Sequence, residues 1–171
     1  MTIKQSTMTM LIATLVGCGE PAPEPSGAIS ALFINEFMAA NETIIPNEDG
    51  DYVDWVELYN ASGEAISLEG LYVTDDLDEP LAHPLPMLTV PANGYLLLWA
   101  DKEVELGDYH LPFALEKNGE ELGLSYIDSS GNPVLLDGVA FGMQADDISW
   151  ARIPDGGEWS EQATPSPGEE N

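Results

Sequence analysis

Asp54-Trp55-Val56-Glu57-Leu58-Tyr59-Asn60 is the stretch whose reading decides the fold. Successive side chains of a strand point to opposite faces, so Trp55, Glu57 and Tyr59 share one face while Asp54, Val56 and Leu58 share the other. Trp55 and Tyr59 are the expected core anchors, because a layered β-domain needs large apolar side chains inside. A surface aromatic platform for glycans is the competing reading.

Working outward, no long window beyond Ser30 repeats apolar residues at a period of 3.6, whereas short apolar or alternating runs recur between turn residues. Strands are predicted over Ala31 to Phe37, Asp54 to Asn60, Glu64 to Leu68, Leu71 to Thr74, Tyr95 to Ala100, Glu121 to Ile127, Val134 to Phe141 and Ile148 to Ile153. Between them stand Ala61-Ser62-Gly63, Pro91-Ala92-Asn93-Gly94, Asn118-Gly119, Ser130-Gly131-Asn132 and Asp155-Gly156-Gly157. These residues tolerate the positive φ angles that chain reversal needs. The pattern is that of an all-β sandwich or small barrel.

Several phrases then follow one another in a recognisable order. They are Ile34-Asn35-Glu36-Phe37, Gly50-Asp51-Tyr52-Val53-Asp54-Trp55-Val56-Glu57-Leu58-Tyr59-Asn60 and Leu68-Glu69-Gly70-Leu71-Tyr72-Val73-Thr74-Asp75-Asp76. Further on come Ala92-Asn93-Gly94-Tyr95-Leu96, His110-Leu111-Pro112-Phe113, Ser149-Trp150-Ala151-Arg152-Ile153-Pro154-Asp155-Gly156 and Thr164-Pro165-Ser166-Pro167-Gly168. Together they resemble the lamin-tail domain across its whole length. The resemblance implies an immunoglobulin-like β-sandwich over residues 30–171, with a binding or targeting role rather than catalysis. This chain departs from the family's pattern in showing no coiled-coil rod, no basic surface and no attached enzyme.

Charge restricts the partners. Only Lys4, Lys102, Lys117 and Arg152 oppose 31 acidic residues, for a formal net charge of -27. Nucleic-acid binding relies on Lys and Arg neutralising phosphates, so no nucleic-acid partner is expected. The same charge opposes anionic lipid, so any membrane attachment must be hydrophobic or covalent.

Such an attachment is written into the first residues. Met1 to Gly17 carry Lys4, no acid, and the apolar run Met8-Thr9-Met10-Leu11-Ile12-Ala13-Thr14-Leu15-Val16. This is a signal-peptide layout, too short to span a bilayer. It closes on Leu15-Val16-Gly17-Cys18, which resembles the lipobox of bacterial lipoproteins and marks Cys18 for cleavage and acylation. Cys18 is the only cysteine, which excludes an intrachain disulfide. Each buried methylene contributes about 0.8 kcal/mol, so two or three acyl chains hold a protein to the membrane almost permanently. Gly19 after the cysteine, in place of Asp, matches the outer-membrane sorting pattern of Gram-negative lipoproteins. Gly19-Glu20-Pro21-Ala22-Pro23-Glu24-Pro25-Ser26-Gly27 reads as a semi-rigid tether, giving a leader over 1–17, a lipidated tether over 18–29 and one domain beyond.

Candidate chemistry is sparse. Arg152, the sole arginine, is expected to form a structural salt bridge, with Glu36 or Glu57 as partner. His83 and His110 lie in proline-bearing segments without metal-ligand spacing and read as ordinary loop residues. Two acidic loops supply oxygen ligands of the kind calcium takes: Asp49 and Asp51 with Asp54, and Asp75 and Asp76 with Asp78. Solvated turns explain the same residues without a metal. The sequence therefore points to a lipid-anchored, non-enzymatic binding or structural module of the cell envelope, with a protein or glycan partner. A calcium-dependent adhesion or matrix module is the alternative, calcium being the one cofactor implied, and an envelope hydrolase ranks third.

Overall fold

Twelve strands occupy residues 29–171, the part of the chain that the computed structural model describes. The leader, Cys18 and the tether up to residue 28 lie outside the described residues. In chain order the strands are β1 Leu32–Met38, β2 Asp54–Asn60, β3 Ile66–Ser67, β4 Leu71–Thr74, β5 His83–Pro84, β6 Thr89–Val90, β7 Gly94–Ala100, β8 His110–Leu111, β9 Gly119–Ile127, β10 Pro133–Gly142, β11 Ser149–Ile153 and β12 Glu158–Gln162.

They form a six-stranded sheet in the order β12-β11-β1-β2-β7-β8, a four-stranded sheet in the order β10-β9-β4-β5, and a two-stranded ladder of β3 with β6. Every ladder is antiparallel except that of β7 with β8, which is parallel. The two larger sheets enclose one core. Leu32, Ile34 and Phe37 of β1, Val56 and Leu58 of β2, and Leu98 of β7 meet Leu71 and Val73 of β4, Leu122 and Leu124 of β9, and Phe141 of β10. The architecture is the immunoglobulin-like β-sandwich expected from the sequence.

Each of the eight expected strands is present, and β2 and β4 have the expected bounds. The predicted Glu64 to Leu68 strand shortens to β3. The fully buried side chain of Asn60 donates to the carbonyls of Glu64 at 2.7 Å and Pro91 at 2.9 Å, drawing Glu64 into a turn. Strands β5, β6 and β8 have two residues each, too few to show alternation. The polar β12 hides because it is an edge whose ladder partner is β11 alone.

Strict alternation in β1 would send Glu36 into the core beside Leu32 and Ile34. A bulge between Ile34 and Glu36 prevents this, since the register steps from Ile34 opposite Leu58 to Glu36 opposite Glu57. Phe37 then points inward and Glu36 outward. Beyond the two rungs that join β1 to β11, the Ile34 N–H donates to Asp137 Oδ2 at 2.9 Å and its carbonyl accepts from Arg152 Nε at 2.9 Å. Arg152 Nη2 closes the clasp on Asp137 Oδ1 at 2.6 Å, and Nη1 donates to the Gly157 carbonyl at 2.7 Å. Asp137 stands at the irregularity of β10, in the opposite sheet. The expected partners Glu36 and Glu57 are thus replaced by Asp137: the bulge turns Glu36 to the other face of the sheet, where the regular alternation of β2 already places Glu57.

Phe37 is fully buried, tilted against Phe141 at 4.7 Å and edge-on to Trp159 at 5.3 Å. Phe37→Ala should cost about 3–5 kcal/mol in a urea melt. Met143→Ala, at a residue 74% exposed, should stay within about 0.5 kcal/mol of wild type.

Candidate functional site

At the side of the sandwich where each sheet presents a short edge strand, β5 and β8 line a cavity of about 280 Å³. His83, Pro84 and Pro86 form one wall, and Val104, Asp108 and His110 the other. Val104 is exposed within this lining, and Leu106 and Tyr109 of the same segment are exposed as well. His83 stacks on Phe113 with ring centroids 5.5 Å apart.

His110 is the most constrained polar group here. The parallel ladder sets it opposite Trp99, with its side chain out of contact with solvent. Nδ1 meets Asp101 Oδ2 at 2.7 Å and Nε2 meets Glu48 Oε1 at 2.8 Å. Burial opposes the charged imidazolium, but the hydrogen bonds and charges of Glu48 and Asp101 outweigh it, so the His110 pKa rises above its ordinary value. The sequence reading of His110 as an ordinary loop residue is corrected: it sits on a strand and ties the 47–51 loop to the sheet edge. Both ring nitrogens are engaged by carboxylates, which leaves neither to act as general base towards a Ser or Thr nucleophile.

The acidic loops are organised by their own side chains. Asn47 Oδ1 accepts the N–H groups of Asp49 at 3.1 Å and Asp51 at 2.9 Å, and both aspartates are exposed. Asp54 is half-buried, and burial pushes its carboxyl up to about 6. In the second loop Asp76 Oδ1 accepts the Asp78 N–H at 2.9 Å, while Asp75 lies 3.9 Å from His83. Among the described residues no group of three or more His, Cys, Asp or Glu side chains converges in a way that could hold a metal ion.

Of the aromatic residues singled out by alternation, Trp55 is fully buried but outside the main core, packed with Met38 and Trp99 on the outer face of the six-stranded sheet. Tyr59 is half-buried and stacks on Tyr95 at 5.0 Å. Val56 and Leu58, on the other face of β2, fill the space between the sheets.

Sequence reasoning missed the polar groups beside them on that outer face. Glu36 and Glu57 stand directly opposite one another, both fully buried. Asp155 accepts from the Asn35 side chain at 2.9 Å and from the Tyr95 hydroxyl. The signal was present: acidic residues sit within apolar strand runs where both neighbours are buried.

An immunoglobulin-like sandwich bearing a lateral groove and a polar outer face is the class that this geometry defines. The model of the lamin tail domain family matches residues 25–151, and the chain belongs to that family. Searches of curated proteins and of solved structures returned no match.

His110 makes stability pH-dependent with a definite sign. Its folded pKa lies above the ordinary 6.5, so its contribution is fully present below about pH 6.5 and is lost as pH rises through the folded value. His110→Gln should therefore cost about 2 kcal/mol at about pH 6 and progressively less at higher pH. Urea melts across that range check this, and a penalty independent of pH would contradict it.

Proposed function

We propose that the chain is a non-enzymatic binding or structural module of the bacterial cell envelope, held to the membrane by acyl chains on Cys18 and presented on a proline-rich tether. The observation that carries the reading is Leu15-Val16-Gly17-Cys18 at the close of a short apolar leader, followed at once by the tether and a single β-sandwich. Gly19 favours the outer membrane as the site of attachment. Membership of a family of non-catalytic, immunoglobulin-like domains supports a role in contact rather than chemistry.

The groove between β5 and β8 supports a protein or glycan partner, since the exposed Val104 lines it together with proline and imidazole walls. An excess of 31 acids over four basic side chains supports the exclusion of nucleic acid.

Two experiments test this reading. Cys18→Ala should move the protein from the membrane to the soluble fraction, and a mutant that stays membrane-bound would contradict the anchor. A gel-shift titration with duplex DNA at physiological salt should show no complex, and a saturable shift would contradict the partner class.

A further inference from the structure

A carboxylate taken out of water must find donors or a cation, or keep its proton. Glu36 on β1 and Glu57 on β2 face each other across one rung of the ladder, both fully buried, and among the described residues neither forms an ion pair with Lys, Arg or His. What shields them is the segment from Thr164 to Asn171. The Ser166 N–H donates to Glu36 at 3.3 and 3.2 Å, and the Gly168 N–H donates to Glu57 Oε2 at 2.5 Å. Asn171 N–H reaches Asp155 Oδ1 at 3.2 Å, and the Asn171 side chain donates to the carbonyls of Asn35 at 3.4 Å and Arg152 at 3.3 Å. The segment is therefore tied to the sandwich by hydrogen bonds at Ser166, Gly168 and Asn171.

The two glutamates are not equivalent. Glu36 Oε1 also accepts the Ser149 hydroxyl at 2.5 Å, giving that carboxylate two donor groups. Glu57 has one donor on Oε2, and its buried Oε1 has no hydrogen-bond partner. A buried acceptor without a donor, beside a second carboxylate, favours the neutral acid over the charged form.

We propose that residues 164–171 form a proton-operated latch over the outer face of the six-stranded sheet, closed while Glu57 is un-ionised and lifted when Glu57 loses its proton. Ionisation places two charges on one rung with only the Gly168 N–H and the Asn35 side chain to stabilise the second, and the remaining solvation has to come from water. Water reaches Glu57 when the segment above it lifts. The other charged and titratable groups that face Glu57 sharpen the effect: Glu36 from β1, Asp155 from the β11–β12 turn, and Tyr95 from β7, hydrogen-bonded to Asp155. Burial, with added repulsion from Glu36 and Asp155, pushes Glu57 up to about 8 against the lowering effects of the Gly168 N–H and the Asn35 side chain. Opening uncovers a trough of Glu36, Glu57, Asp155 and Asn35. The segment and Asp155 lie beyond the residues matched by the family model, which end at 151.

The test is a titration of the full chain, labelled with ¹³C and ¹⁵N, that follows the Glu57 carboxyl together with hydrogen-exchange protection of the Ser166, Gly168 and Leu98 amides. Protection is corrected for the intrinsic rise of exchange with pH. The expected result is a Glu57 midpoint near 8, with protection of Ser166 and Gly168 falling by about tenfold or more across the same midpoint while Leu98 stays protected. Glu57→Gln should remove the step and keep the segment closed. The proposal is overturned if Glu57 titrates in the ordinary carboxylate range, if Gly168 is as protected at about pH 10 as at about pH 6, or if Leu98 is lost in step with it. Should Glu57→Gln fail to fold, the wild-type midpoints alone decide.

Discussion

The guanidinium of Arg152 and the carboxylate of Asp137 grip the backbone of Ile34 from both sides, one taking its carbonyl and the other its N–H. Each side chain belongs to a different sheet, and both the gripped residue and Asp137 stand at irregularities of their strands. The contact is mostly withdrawn from water, with 13% of the Arg152 side chain and 11% of Asp137 exposed. Burial pushes the Asp137 carboxyl up, and the opposing pull of Arg152 and the N–H groups of Ile34 and Gly138 does not fully offset it. A pair of this kind adds little to net stability when intact but costs several kcal/mol when one partner is removed. Its consequence is conformational. The clasp fixes where β1 changes face, which decides that Phe37 enters the core and Glu36 leaves it.

From that choice follows a sheet with structure on both sides. One face carries Val56, Leu58 and Leu98 into the sandwich, and the other carries Trp55, Glu36 and Glu57 under further chain. The guanidinium also lies 4.5 Å from the Trp159 ring, so the clasp extends to the edge strand β12 through a cation–π contact. At the far edge His110 does comparable work, compensating the buried Asp101 and drawing in Glu48. Of the few cations, Arg152 and His110 sit against the withdrawn carboxylates of Asp137 and Asp101, whereas Lys117 pairs with the exposed Asp146.

Much of this was legible in the sequence. Alternation in Asp54 to Asn60 and the turn residues located the long strands, and the ordered phrases identified the lamin-tail fold. Alternation fails where the β1 bulge intervenes, which hides the outward turn of Glu36; in the regular β2 it separates Trp55 and Glu57 from Val56 and Leu58, but it does not say which of the two faces meets the other sheet. Two-residue strands leave no period to read, so β8, and with it the burial of His110, was invisible. Nor does any local pattern report that the segment after Thr164 folds back over Glu57, since the contact spans 111 residues of sequence.

The clasp is the central claim, and a double-mutant cycle in urea with Arg152→Met, Asp137→Asn and the pair together measures it most directly. Each single change should cost about 3 kcal/mol, and the double variant should fall short of their sum by about 2 kcal/mol, because the second substitution removes a partner already stranded. Additivity to within about 0.5 kcal/mol would contradict the account, since the two side chains would then act on β1 independently.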